Sequence, residues 1–234
     1  MAPVKRILIA EDETAIRDFV VINLQRVGYE VIDVNSGEAA IETFDKMGGD
    51  FDIALLDIMM PGKDGFEVCK YIRARSNAIG IIMLSAKTQE MDKVSGLMMG
   101  ADDYVTKPFS PSELIARVDA VYRRVSMARQ NDEPQSRISS GPFELNLKSR
   151  SLTKGGVPID LTQVEFQLME YFMQNPNAAM ERSEILHKVW GEGFFGDVKI
   201  VDVNIRRLRM KIEDDPSNPH HILTQWGYGY KWAD

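Results

Sequence analysis

Along the first 125 positions, two periods of apolar residues alternate. Arg6-Ile7-Leu8-Ile9-Ala10, Phe51-Asp52-Ile53-Ala54-Leu55-Leu56, Gly80-Ile81-Ile82-Met83-Leu84 and Tyr104-Val105-Thr106 are short, nearly unbroken apolar runs of strand length. Tyr29-Glu30-Val31-Ile32-Asp33-Val34 reads as a fifth strand. Stretches at 14–27, 36–47, 64–75, 88–99 and 111–124 read as helices between them. Strict alternation of strand and helix predicts an α/β fold with a doubly wound, five-stranded parallel sheet of flavodoxin-like type. Gly28 and Gly100 are helix stops. Ser110-Pro111, with Glu113 three residues after Ser110, is a helix start.

The pattern breaks between Ser126 and Arg137, where MARQNDEPQS is polar, holds a proline and has no apolar period. A different rhythm follows. Phe143–Leu147, Ser151–Thr153 and Val157–Asp160 are short β-like pieces, with Gly155-Gly156 as a turn. Thr162-Gln163-Val164-Glu165 is a capping box that opens a helix at 163–174, and Asn175-Pro176 closes it. Further helices are expected at about 183–190 and 199–213, then two β-like runs around Gly227-Tyr228-Gly229. Three helices and a terminal hairpin describe an α+β winged helix-turn-helix. The expected organisation is therefore a domain at 1–125, a linker at 126–137 and a second domain at 138–234.

Length and composition fit this division. A chain of 234 residues holds one or two domains with real cores. Its start, MAPVKRILIAEDE, reads as neither a signal peptide nor a membrane span, which points to a cytoplasmic protein without a membrane partner. Cys69, the single cysteine, excludes an intrachain disulfide and reads as a packing residue. The net charge of −7 would argue against nucleic acid, but its distribution changes the picture. Residues 1–125 carry 15 Lys and Arg against 20 Asp and Glu; residues 138–234 carry 11 against 13. Four of those 11 bases fall within Arg206-Arg207-Leu208-Arg209-Met210-Lys211, so one helix can carry a strong local field.

The chemistry of the first domain lies at its strand ends. Glu11, Asp12, Asp57, Ser85 and Lys107 each fall at or just past an apolar run. In a parallel sheet those ends meet at one edge. Three converging carboxylates need a cation, and an oxygen-rich set suits Mg²⁺. A lysine and a hydroxyl beside them suit a phosphoryl group. Glu13 and Asp64 read instead as a helix N-terminal acid and a turn residue.

Taken in order, ILIAEDE, ALLDIMMPGKDGFEV, IIMLSAK and GADDYVTKPFSPSEL resemble the receiver domain of bacterial two-component response regulators. LTQVEFQLMEYF, EILHKVWG, VDVNIRRLRMKIE and WGYGYKW resemble the winged-helix effector of the OmpR/PhoB subfamily. Such a resemblance implies a phosphorylation-activated transcriptional regulator, not an enzyme beyond its own phosphotransfer and dephosphorylation. Asp57, expected to be exposed at the sheet edge, would accept a phosphoryl group from a sensor histidine kinase. Glu11, Asp12, Asp57 and the backbone carbonyl of Met59 would hold Mg²⁺. Lys107, followed by a cis peptide to Pro108, would pair with the phosphoryl group. Ser85 and Tyr104 would form the switch.

The resemblance also implies output surfaces. Lys93, Asp102, Asp103, Glu113, Arg117 and Arg124 match a face through which receivers form a homodimer, although Asp119 stands where relatives often carry a base. On the helix at 199–213, Val201, Ile205, Leu208 and Ile212 form an inward stripe. Lys199, Ile200, Asn204, Arg207 and Lys211 would face double-stranded promoter DNA, with Arg207 suited to guanine, Asn204 to adenine and Ile200 to a thymine methyl. Lys199 and Lys211 are expected at phosphates, whereas Arg206 and Arg209 fit either buried or backbone contacts. Trp190, Thr224 and Tyr230 are further DNA-contact candidates. Many relatives carry an arginine for the minor groove where Trp226 stands. Phe194 and Phe195 lie in a loop that the family uses to contact RNA polymerase.

Two other classes compete. An aspartyl-nucleophile phosphatase of the haloacid-dehalogenase type needs an acid two residues after the nucleophile, and Met59 stands there. A regulator that binds DNA whatever its phosphorylation state would leave the complete strand-end set without a task.

Overall fold

The computed structural model describes residues 5–86, 99–127, 137–191, 194 and 197–233. It divides into two compact units, Met1–Val125 and Ser126–Asp234.

The first unit is a five-stranded parallel sheet in the order β2-β1-β3-β4-β5. Its strands are β1 (Arg6–Ala10), β2 (Glu30–Val34), β3 (Ile53–Asp57), β4 (Gly80–Ala86) and β5 (Asp103–Lys107). Every residue of β3 is buried, as a central strand with both faces covered requires, whereas β2 at the edge is half-exposed. The helices are α1 (Thr14–Arg26), α2 (Gly37–Lys46), α3 (Gly65–Arg73) and α4 (Pro111–Met127). The helix expected at 88–99 lies outside the described residues, as do Lys93 and the linker positions 128–136.

Local chemistry sets the helix starts. Ser36 Oγ accepts from Ala39 N, and Ser110 Oγ accepts from Glu113 N. Asp64 does more than make a turn: with Glu67 it forms a complete capping box on α3. α1 and α4 lay Val20, Leu24, Leu114, Val118 and Val121 against the apolar face of β1, β3, β4 and β5, forming one continuous core.

The second unit opens with a four-stranded antiparallel sheet: β6 (Arg137–Ser140), β7 (Phe143–Asn146), β8 (Ser151–Lys154) and β9 (Val157–Ile159). Helices α5 (Gln163–Gln174), α6 (Arg182–Trp190) and α7 (Lys199–Ile212) follow. A second sheet has the order β10-β12-β11 and contains β10 (Ala179–Glu181), β11 (Ile222–Gln225) and β12 (Gly229–Trp232). β6 and β10 have no clear signal in the apolar pattern. Each is only three or four residues long and is defined by the neighbour it pairs with. The β11–β12 hairpin is the wing expected from the sequence. No helix among the described residues is long and apolar enough to cross a membrane.

Candidate functional site: an acidic pocket and a basic helix

Parallel strands bring the expected acids together. Glu11 and Asp12 follow β1, Asp57 ends β3, and one ligand oxygen from each lies within 4.8 Å of the others. Glu11 is fully buried and Asp57 is 3% exposed. The expectation that Asp57 is exposed is therefore corrected. Lys107 reaches past the end of β4 and lies beside it, with Nζ 3.1 Å from Asp57 Oδ1 and 2.8 Å from Glu11 Oε2. The Lys107–Pro108 peptide is cis.

Backbone contacts fix this pocket. Arg17 Nη1 donates to the carbonyl of Glu11 at 2.8 Å, and Glu11 N donates to Val34 O at 3.1 Å. The first residue of α3 is Gly65, where a Cβ would stand 2.2 Å from the carbonyl oxygen of Asp57. Only glycine lets α3 start against the backbone of Asp57.

Burial dominates the electrostatics. It pushes the Glu11 carboxyl up to about 7 against the pull of Lys107, with Asp57 pushing the same way. Burial also raises Asp57, opposed by Lys107 and by a hydrogen bond from the Met59 backbone. Burial alone would lower Lys107, but the two carboxylates outweigh it and raise it. Three carboxylates and one ammonium leave a negative, all-oxygen donor set, which fits a hard divalent cation. Glu11, Asp12 and Asp57 are the side chains able to hold it.

Ser85 and Tyr104 are both buried. Ser85 lies one residue beyond Leu84, the register partner of Asp57, so its hydroxyl belongs to the same sheet edge.

Several proposed interface residues are engaged inside the domain. Arg73 Nη2 contacts Asp102 Oδ2 at 2.7 Å; Arg117 contacts Asp103 at 3.2 Å and Glu113 at 3.1 Å. Asp102, Asp103, Arg117 and Arg124 are all buried. Within the single chain these charges are balanced internally, because a low-dielectric site holds a charge only when an opposite charge is close. Asp119 accepts the Tyr29 hydroxyl at 2.6 Å, which accounts for an acid at that position.

The larger correction concerns α7. Val201, Ile205, Leu208 and Ile212 are buried as expected, but so are Ile200, Asn204 and Arg207. At about 100° per residue, those two stripes are adjacent and form one wide inward arc. Asn204 Nδ2 donates to Ile200 O, and Arg207 Nη1 donates to Asn204 Oδ1. Arg207 Nη2 then pairs at 3.1 Å with Glu165, which is fully buried. Lys211 is exposed, yet its Nζ is 2.6 Å from the same carboxylate. The capping-box acid of α5 thus draws two of the expected DNA-contact cations. Trp190 is buried, and Phe194 packs beside it with ring centroids 6.3 Å apart, so both are core residues. Phe195 lies outside the described residues.

Solvent meets the opposite arc: Lys199, Arg206 and Met210, with Asp202 and Arg209 half-exposed. Asp202 Oδ1 accepts from Arg182 Nε and from the Tyr230 hydroxyl, both at 2.7 Å. Arg182 and Arg209 lie over the Tyr230 ring at 4.9 and 5.5 Å. Tyr230 is buried with its hydroxyl engaged, and Thr224 Oγ1 accepts from Arg209. The Tyr230 hydroxyl is thus spent on Asp202, whereas Thr224 Oγ1 only accepts and keeps its own proton to donate. Arg182, Arg206 and Arg209 are the cations that helical spacing alone does not single out, since only the fold shows which arc the domain covers.

Residues 7–119 match the response regulator receiver domain, and residues 156–232 match the C-terminal domain of transcriptional regulatory proteins. The sensory transduction protein RegX3 of Mycolicibacterium smegmatis is 43% identical over 225 residues, covering 96% of this chain and 97% of that one. RegX3 of Mycobacterium tuberculosis strain H37Rv is 44% identical over 227 residues, with the same coverage. Among solved structures, a RitR mutant superposes with a TM-score of 0.77 at 25% identity, covering 98% of this chain and 99% of that one.

Proposed function

Because the chain belongs to the OmpR/PhoB response regulators, which join a receiver domain to a C-terminal transcriptional regulatory domain, we propose that Asp57 is the phosphoacceptor through which it is switched. The protein is a transcription regulator of two-component signalling with a DNA-binding domain, and not an enzyme of the ordinary kind. The observation that carries the Asp57 assignment is the Lys107 ammonium held between the Asp57 and Glu11 carboxylates at the sheet edge.

In this reading an Asp57 carboxylate oxygen attacks the phosphorus of a phosphohistidine on a sensor kinase. The P–O bond forms as the P–N bond breaks, and the imidazole nitrogen leaves with the electron pair. Lys107 shifts from the carboxylates to a phosphoryl oxygen. The Ser85 hydroxyl donates to another, and Tyr104 repacks in response. Glu11, Asp12, Asp57 and the Met59 carbonyl would hold Mg²⁺, which neutralises charge on the carboxylates and the phosphoryl oxygens.

Output follows as a cytoplasmic homodimer on promoter DNA. Lys199 and Arg206 meet the duplex, and RNA polymerase contacts the segment between α6 and α7. The Asp57 assignment is tested with acetyl phosphate and Mg²⁺. Intact-mass measurement should find one added phosphoryl group on the parent and none on Asp57→Ala. Equal labelling of the two would remove Asp57 from the role.

A further inference from the structure

The wing carries an aromatic residue with no use in its own domain. Trp226 is 92% exposed and Tyr228 45%, whereas Trp190 and Trp232 are buried. Trp226 and Tyr228 together leave an apolar tip in water, the kind of exposed patch that contact surfaces use.

That ring is displayed on a rigid arm. β11 and β12 pair in register from Ile222↔Trp232 to Gln225↔Gly229, and β10 pairs along the other side of β12. The turn is closed by Tyr228 N donating to Gln225 O at 3.0 Å, with Gly227 supplying a φ of 73°. At its root the hairpin is bolted to the solvent-facing arc of α7. Arg209 donates to Ile222 O and Thr224 Oγ1, and the Tyr230 hydroxyl donates to Asp202. The tip itself, Gln225-Trp226-Gly227-Tyr228, carries no charge.

What covers Trp226 follows from its neighbours. Arg182 and Arg209 lie at the root of the hairpin, and Lys199 and Arg206 are exposed on the same outer arc of α7, against two acids, Asp202 and Glu181. This surplus of bases, on a domain that binds DNA, makes the occupant the DNA polyanion. We propose that Trp226 is an apolar wedge that enters the DNA minor groove next to the sequence read by α7. It inserts at, or stacks against, a flexible pyrimidine–purine step, and so selects DNA by deformability instead of by charge. This inference rests on the DNA-binding reading above and adds a specificity-determining residue to it. Because the ring is uncharged, it contributes affinity without releasing counterions.

The test uses the full chain and a single-half-site duplex that the parent recovers from a random-sequence pool. Trp226→Ala should bind about tenfold more weakly, as loss of an aromatic stacking contact does. Its slope of log Kd against log salt should equal the parent's, and its thermal unfolding should be unchanged. Trp226→Phe should regain most of the affinity. Saturating duplex should quench the long-wavelength tryptophan emission of the parent and leave that of Trp226→Ala unaltered. Equal affinity of parent and Trp226→Ala, with no emission change, would overturn the proposal. So would a defect confined to cooperativity on two half-sites, which would place Trp226 between protein copies. A parent that binds no duplex would remove the DNA-binding reading itself, and this inference with it.

Discussion

The ammonium of Lys107 lies 3.1 Å from Oδ1 of Asp57. It is the cation that lets a buried carboxylate at the end of β3 stay charged. Lys107→Met would leave Asp57 and Glu11 facing each other without it. Metal-free protein is expected to lose about 2 kcal/mol of stability, below the full value for breaking a buried pair because the carboxyls can take up protons. Millimolar Mg²⁺ should recover part of the loss. Urea unfolding with and without the ion checks both; an unchanged midpoint would contradict the assignment.

Glu11 makes the pocket sensitive to pH. Burial raises its carboxyl from the ordinary 4.5 to about 7. A raised carboxyl favours the metal-free fold while protonated. That contribution is whole below 4.5 and is lost as pH rises through about 7. Metal binding has the opposite slope, because the proton must leave first. Mg²⁺ affinity should climb up to about tenfold per pH unit below neutrality and level off above it. Calorimetric titration of the parent and Glu11→Gln measures this, and the variant should show a flatter profile.

Arg207 is buried and paired inside the second unit, which predicts a role in the fold ahead of one at the DNA interface. It donates to Asn204 and pairs with the buried Glu165. Arg207→Met should destabilise the second unit by about 3 kcal/mol, the order expected when a buried charge loses its partner. The protein that remains folded should bind DNA as the parent does. Unaltered stability with lost binding would return Arg207 to the interface.

These results mark where the sequence was legible. The parallel sheet, the capping box at Thr162 and the meeting of Glu11, Asp12 and Asp57 follow from patterns within ten residues or from the rule for parallel strands, whereas Asp64, read as a turn residue, also caps α3. The inward turn of Arg207 does not. A helical wheel shows that Ile200, Asn204 and Arg207 share a face, but not that α5 brings a buried Glu165 against it. Nor does local pattern show that Asp102 is claimed by Arg73, 29 residues away, or that the hydroxyl of Tyr230 is claimed by Asp202. Each depends on a counter-charge or hydrogen-bond acceptor from a distant segment.

Arg206 is exposed on the outer arc of α7. As a phosphate contact it should contribute affinity of nearly the same size for every sequence. Arg206→Ala is expected to weaken binding to specific and unrelated duplexes alike and to lower the salt slope by about one. A loss confined to one base position would instead make Arg206 a base reader.

The switch itself is tested most directly by adding beryllofluoride, a phosphoryl mimic, to the full chain with Mg²⁺, beside an Asp57→Ala control. Solution size and affinity for a two-half-site promoter duplex are read together. A dimer with tighter DNA binding only in the presence of the mimic, and neither change in Asp57→Ala, is the predicted result. Equal size and equal affinity with and without the mimic would mean that the acidic pocket does not govern DNA binding.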